Sequence, residues 1–407
     1  MQNLDPGSVS TSPLNNGPEE ISAFLEPAGS AVQGSGGVPA VLKVPAVPRF
    51  QAEPRFHVIQ GDVLAVLKGL ELASFDAILC DPPYGLDFMG QDWDHGVPGS
   101  LVWAEALRVL RPGGHLMAFG GTRTFHRLAS AIEDAGFEIR DCISWIYGSG
   151  FPKSLDVSKA LDREAGAERR IIGTRPGVGT NNTTTRGTFG TEITITAPAT
   201  DAAVHWQGYG TALKPAWEPC IVAMRPCDGT YAQNALEQGV AGLNIDAGRI
   251  GPAANTGTQV PAGFTLPAGS EGSQGRWPAN LILDEPAATA LGEPARFFYC
   301  AKASPSERSA GTKGNGHPCL KPLNLTRYLA GLLLPPERSE PAGTAVQGSG
   351  GVPQASRPRR ILVPYSGSGS EMIGALQAGW DSITGIEREP DYVAIAEQRL
   401  SHYQGLL

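Results

Sequence analysis

Asp81-Pro82-Pro83-Tyr84 follows directly on the apolar run Ile78-Leu79-Cys80, so a carboxylate, a rigid carbonyl and an aromatic ring meet where a buried strand would end. An exocyclic aromatic amine is a poor nucleophile because its lone pair is delocalised into the ring. It attacks an electrophile when acceptors hold its N–H groups and favour a tetrahedral nitrogen. Asp81 offers one acceptor and the Pro82 carbonyl another, acting by fixed orientation and by stabilising charge as it develops. Pro83 stiffens the turn. Tyr84 supplies a flat face for a base extruded from a duplex, which costs about a few kcal/mol. The set suits methyl transfer to a nucleobase amine. Taken alone, the same four residues are also an ordinary turn after a strand, and the flanking sequence has to decide.

The flanks alternate strand and helix. Phe56-His57-Val58-Ile59 has strand character and leads into Gly61-Asp62, followed by helical spacing at Val63, Leu64, Leu67 and Leu70 and by the strand Asp76–Cys80. A helix through Trp103, Leu107 and Leu110 is expected to end at Arg111-Pro112-Gly113-Gly114, with His115–Phe119 a buried strand. Another helix over about 123–135 closes at Gly136, before a strand through Arg140. The pattern predicts an α/β fold, a mostly parallel sheet with helices on both faces and ligands at the carboxyl ends of its strands. Near the C-terminus, Arg360-Ile361-Leu362-Val363 precedes Gly367-Ser368-Gly369 and a helix through Met372 and Leu376 to Ala378. Glycines at such a turn let a ligand approach the backbone. The next strand, Ser382–Ile386, ends in Glu387, placed to accept hydrogen bonds from a ribose.

Together these segments resemble the S-adenosylmethionine-dependent amino-methyltransferases of DNA, in their circularly permuted beta arrangement. There the catalytic motif comes first, a target-recognition region follows, and the cofactor motifs close the chain. Asp81-Pro82-Pro83-Tyr84 matches the catalytic motif, and His317-Pro318-Cys319-Leu320-Lys321-Pro322 resembles the motif beside the methionine end of the cofactor. Pro364-Tyr365-Ser366-Gly367-Ser368-Gly369 resembles the glycine-rich loop, Gly385-Ile386-Glu387-Arg388 the ribose-binding strand end, and Gly61-Asp62 the segment near the adenine. The likeness covers most of residues 55–155 and 295–400. Phe119-Gly120-Gly121-Thr122-Arg123-Thr124, Gly148–Ser154 and Ala212–Pro219 look like phage-borne members. The resemblance implies a Rossmann-like methyltransferase domain with S-adenosylmethionine as cofactor and no metal requirement. Its catalytic residues would be Asp81, Pro82, Pro83 and Tyr84, and its cofactor residues Asp62, His317, Lys321, Pro364, Ser366, Gly367, Ser368, Gly369 and Glu387. It also implies double-stranded DNA as partner and allows a homodimer.

Asp at the first catalytic position favours adenine N6, since family members acting on cytosine N4 more often carry Ser there. Methylation at cytosine C5, which needs a Cys nucleophile, is disfavoured beside the Asp81-Pro82-Pro83-Tyr84 motif. Cys80 reads as core. Two positions depart from the pattern. Val363 stands where the loop usually opens with Asp, and Ser370 where Thr is usual. Two alternatives stay open: a different planar nitrogen (cytosine N4, RNA or a protein amide), since similar Pro-Pro-Tyr turns serve several of them, and a non-catalytic protein that binds cofactor or DNA, motivated by Val363 and by a repeated insertion before the glycine loop.

The expected organisation is a flexible arm at 1–54, a catalytic half at 55–155, a target-recognition region at 156–295 and a cofactor half at 296–407, with a flexible insertion at about 336–358. That insertion contains a near-copy of Glu26–Pro39 at Glu340–Pro353, differing only in Ser30 against Thr344, and its composition has little to bury. Within the recognition stretch, Arg169, Arg170, Arg175 and Arg186 are candidates for phosphates, and Trp206 and Trp217 for bases. A net charge of −8 gives no global attraction for DNA, so binding needs a local basic groove. Hydrophobic residues make up 41%, enough for a sizeable core. No apolar stretch suggests a membrane span and Met1–Pro39 has no secretory pattern, which predicts a cytoplasmic protein. Cys300, His317 and Cys319 lack an evident fourth ligand for zinc.

Overall fold

The computed structural model describes residues 55–86, 96–148, 150, 154–176, 192–251, 275–301, 310, 312, 320–337 and 357–406. The chain divides into two units, Met1–Ala52 and Glu53–Leu407, and every described residue belongs to the second. The N-terminal arm, both copies of the repeat, Arg186, His317 and Cys319 lie outside the described residues.

In chain order the first half runs β1 (Phe56–Gln60), α1 (Val63–Gly69), β2 (Phe75–Cys80), α2 (Ser100–Val109), β3 (Leu110–Phe119), α3 (Phe125–Asp134) and β4 (Glu138–Ile146). An outer group follows: α4 (Val157–Glu164), β5 (Ile171–Pro176), β6 (Glu192–Thr196) and α5 (Asp201–His205). The chain then returns with β7 (Trp217–Met224), α6 (Tyr231–Gln238), β8 (Leu281–Asp284), α7 (Glu285–Leu291) and β9 (Tyr299–Ala301). It closes with α8 (Leu323–Leu333), β10 (Arg360–Pro364), α9 (Ser370–Ala378), β11 (Ser382–Glu387) and α10 (Pro390–Gln404). Nine strands form one sheet in the order β1-β11-β10-β2-β3-β7-β4-β8-β9. All of its pairings are parallel except those of β7, which runs against β3 and β4. β5 and β6 form a separate antiparallel pair.

Successive side chains of a strand point to opposite faces, and a sheet covered on both faces therefore needs continuous apolar runs. β2 fits this: Ala77 and Leu79 pack with Leu325, Leu329 and Ile373 on the α8 and α9 side. Ile78 and Cys80 pack with Leu67, Trp103 and Leu128 on the α1, α2 and α3 side. Buried Asp76 ties the centre of the sheet together, pairing with Arg111 at 2.9 Å and Arg357 at 3.2 Å and accepting from the Arg360 backbone N–H at 2.7 Å. α8 and α9 approach closely at Gly374, where a Cβ would collide with Thr326 and the backbone of Arg327.

The parallel α/β expectation is realised, with two local differences. The helix before β3 stops at Val109 and Arg111–Gly114 belong to the strand as an irregularity. Phe75 faces Leu110 and Ala77 already faces His115, so the extra residues bulge out. Gly113 takes φ +75 there, and Asn234 binds the Pro112 carbonyl at 2.9 Å. The second difference is that β7 and β8 come from within 156–295, so that stretch contributes to the main sheet as well as to the outer group.

Candidate active site

β10 pairs directly with β2, with Leu362 opposite Ile78, so the turns after both strands share the carboxyl edge of the sheet. β7 runs the other way and brings its first residues, Trp217 and Glu218, to that same edge, where Glu218 lies opposite Trp145. Lys321, just before α8, completes the cluster. Its Nζ is 2.6 Å from Asp81 Oδ2, 3.0 Å from the Tyr84 hydroxyl and 3.2 Å from Glu218 Oε2. The Tyr84 hydroxyl is also 2.9 Å from Asp81 Oδ1 and 3.1 Å from Glu218 Oε2. The ammonium sits over the rings of Phe119 at 4.7 Å and Tyr84 at 5.4 Å.

The segment Phe119–Thr124 shapes the turn that carries these groups. Thr124 donates its hydroxyl to the Tyr84 carbonyl at 2.6 Å. Gly121 leaves room for Tyr84, since a Cβ there would stand 3.2 Å from the Tyr84 ring. Burial works against the charge on Lys321, but Asp81 and then Glu218 outweigh it and hold the ammonium well above the ordinary lysine range. Burial, reinforced by Asp81 and Glu218, also keeps the Tyr84 hydroxyl protonated. Glu371, in the first turn of α9, is buried and within electrostatic reach of Asp81 and Lys321, and burial pushes its pKa up to about 7.

The glycine-rich loop follows β10. Tyr365, Gly367 and Gly369 all have positive φ, +58, +51 and +83. For Tyr365 that conformation is costly and is held by its surroundings. Glu387 accepts from the Gly367 N–H at 2.8 Å and from the Glu389 N–H at 2.8 Å, bracing the loop. Buried Arg399 of α10 donates to the Ser368 carbonyl at 2.5 Å. Among the described residues, buried Ser366 Oγ has no hydrogen-bond partner, as a hydroxyl reserved for a ligand would have. Asp62 caps α1 through the Ala65 N–H at 3.0 Å, and the neighbouring Gly61 N–H donates to the Glu387 carbonyl at 2.9 Å.

The structure thus brings Asp81, Tyr84 and Lys321 into one hydrogen-bonded cluster, and Ser366, Gly367, Ser368 and Gly369 into one loop with Pro364 at its root, braced by Glu387 at the end of β11. Lys321 stands against the Asp81 carboxylate. The similar Lys214 instead donates to the Gly148 carbonyl at 2.6 Å. Arg169 is tied to Asp162 at 2.5 Å and Thr196 at 3.0 Å and so serves the outer group itself, whereas Arg170, Arg175, Trp206 and Tyr209 are exposed. Sequence reasoning missed Glu218 and Glu371. Glu218 lies inside the family-like segment Ala212–Pro219, which was the available signal. Among the described residues no group of three or more His, Cys, Asp or Glu is arranged to hold a metal ion, and no helix is long and apolar enough to cross a membrane.

No family model matches the chain. Part of it is similar to the type II methyltransferase M.HindIII of Haemophilus influenzae, 26% identical over 147 residues covering 26% of this chain and 47% of the relative. It is also similar to the type II methyltransferase M.HpaI of Haemophilus parainfluenzae, 31% identical over 114 residues covering 26% of this chain and 36% of the relative. The chain thus spans less than half the length of either relative. Two solved structures overlay on 85% of the chain, each at 13% identity. The cytosine-N4-specific PvuII DNA methyltransferase has a TM-score of 0.42 with 86% of that chain covered, and M1.HpyAVI a TM-score of 0.39 with 98% covered.

Proposed function

We propose that this protein is an S-adenosylmethionine-dependent DNA methyltransferase acting on the exocyclic amine of a flipped base, with adenine N6 as the target. The observation that carries the reading is the adjacency of Asp81-Pro82-Pro83-Tyr84 after β2 to the glycine-rich loop after β10, on neighbouring parallel strands. Sequence similarity to two type II methyltransferases supports it.

S-adenosylmethionine, when bound, supplies a methyl group made electrophilic by a sulfonium. The groups present suit it: the Tyr365–Gly369 backbone and the unpartnered Ser366 hydroxyl form a receptive loop, and Asp81 and Glu218 set two carboxylates against the single ammonium of Lys321, which suits a cationic guest. Glu387, Asp62 and His317 are assigned to holding the nucleoside and methionine ends. Asp81 and the Pro82 carbonyl orient the amine, and Tyr84 stacks on the base. Asp81 need not be a strong base beforehand, because the amine becomes much more acidic as its new bond to carbon forms. No metal takes part in this scheme.

Recognition of duplex DNA is assigned to 156–295, in particular to its exposed Arg170, Arg175, Trp206 and Tyr209, with homodimer formation and a phage origin as secondary readings. The test is incubation of the purified chain with mixed-sequence duplex and methyl-labelled S-adenosylmethionine, followed by nucleoside mass spectrometry. Labelled N6-methyladenine is the expected product. N4-methylcytosine would retain the chemistry and change the base, and the absence of any labelled nucleoside would overturn the proposal.

A further inference from the structure

We infer that the Tyr84 hydroxyl holds the seat of the incoming base edge, and that Lys321 is a specificity-determining residue that donates to the ring nitrogen beside the reactive amine. The inference rests on the base-methylating reading and names the chemical pattern that the site selects.

Lys321 has three N–H donors. In the base-free site the ammonium donates to Asp81 Oδ2 at 2.6 Å and to the Tyr84 hydroxyl at 3.0 Å, and forms an ion pair with Glu218 Oε2 at 3.2 Å. Tyr84 in turn lies 2.9 Å from Asp81 Oδ1. Its hydroxyl accepts from Lys321 and has one proton for two carboxylates, Asp81 Oδ1 and, at 3.1 Å, Glu218 Oε2; donated to the nearer, Asp81, it fills one donor and one acceptor that stand side by side. An adenine or cytosine presents the same complementary pair on its amidine edge, an amine N–H next to a bare ring nitrogen one carbon away. When that edge replaces the hydroxyl, the amine donates to Asp81 and the ring nitrogen accepts from Lys321, so every polar group remains satisfied. Glu218 keeps Lys321 in register throughout, since its carboxylate stays paired with the ammonium at 3.2 Å.

The pattern also rejects the other two bases. Guanine and thymine carry a ring N–H beside a carbonyl, which would set donor against the Lys321 ammonium and acceptor against the Asp81 carboxylate. Unpaired buried groups of this kind are the strongest basis for discrimination between substrates of equal size. The Phe119 ring lies 4.7 Å from the ammonium of a residue only 8% exposed and fixes it, so that it does not simply follow whichever base arrives.

The test is a cycle between one residue and one substrate atom. Once the target sequence has been mapped, duplexes carrying the natural target base or its ring-deaza analogue (1-deazaadenine, or 3-deazacytosine if cytosine is the product) are titrated in the presence of unreactive S-adenosylhomocysteine. Wild-type protein is expected to bind the deaza duplex about 10-fold more weakly. Lys321→Met is expected to bind the two equally, and Lys321→Arg, which retains a donor, to recover part of the difference. Tyr84→Phe removes the occupant of the seat while keeping the ring, and should bind the natural duplex a few-fold more tightly. An undiminished deaza penalty in Lys321→Met, or none in wild type, would overturn the role of Lys321. Weaker binding by Tyr84→Phe would overturn the role of the hydroxyl. Failure of wild type to methylate natural DNA removes the underlying reading instead, and is scored separately in the nucleoside digest.

Discussion

Ile78 and Leu116, in the middle of the nine-stranded sheet, are fully buried, whereas Ile171 and Ile193 in the β5–β6 pair are 66% and 42% exposed. The same residue type thus serves opposite ends. In the main sheet apolar burial on both faces supplies the stability, and the polar groups are concentrated at the carboxyl edge or, like Asp76, fully paired. The outer group is held mainly by polar bonds: Asp162 accepts from the Thr200 N–H at 3.0 Å and pairs with Arg169 at 2.5 Å. Its isoleucines on β5 and β6 remain largely exposed, Ile171 and Ile172 above all. A region built in this way rests on local hydrogen bonds more than on apolar burial.

The contrast can be broken at four points. The largest effect belongs to Asp81→Ala, which should lower methyl transfer about 10³-fold while leaving the circular dichroism spectrum intact. Near-normal turnover would remove Asp81 from the chemistry. Next, Asp76→Ala removes the buried carboxylate that Arg111, Arg357 and the Arg360 N–H share and should cost about 3 kcal/mol in denaturant unfolding. A loss under about 1 kcal/mol would mean that the centre of the sheet is less dependent on this pairing than its burial implies.

A smaller effect is read from pH. Glu371 is raised in the folded protein from an ordinary 4.5 to about 7, so over that window the folded chain keeps a proton that the unfolded chain has released. Stability therefore falls as pH rises from 4.5 to 7 and levels off above. Glu371→Gln should flatten that fall by on the order of 1–2 kcal/mol, followed as unfolding midpoint against pH. Smallest in stability is the Arg170→Ala, Arg175→Ala double variant, expected within about 0.5 kcal/mol of wild type. Its effect should emerge in DNA binding, where the slope of affinity against salt falls by about 1 for each phosphate that is no longer neutralised. An unchanged slope would place the DNA elsewhere.

Much of the main sheet was legible because parallel strands buried on both faces advertise themselves as apolar runs: Asp76–Cys80, His115–Phe119 and Ser382–Ile386 all lie within observed strands. β7 was not legible. Pro219 interrupts the strand near its start, and proline argues against an interior strand. It is tolerated because Pro219 faces Ser144 near the start of β7 and accepts from the Gly120 N–H through its carbonyl. Glu218 was hidden for the same reason. The rule that ligands meet the carboxyl ends of strands finds Asp81 and Glu387, but an antiparallel strand delivers its first residues to that edge, which sequence periodicity does not reveal. Glu371 escaped because a glutamate in the first turn of a helix ordinarily reads as a solvated partner of the helix dipole.

One consequence of the antiparallel strand concerns how such a protein changes over time. Ile146 at the end of β4 and Trp217 at the start of β7 face one another in register, so the seventy-odd positions between them leave and re-enter the sheet at neighbouring points. Closing a longer or shorter excursion between fixed ends costs only about 0.6 kcal/mol for each doubling of length. The whole outer segment is therefore an exchangeable cassette. Its replacement would leave Asp81, Lys321 and Glu218 where they stand.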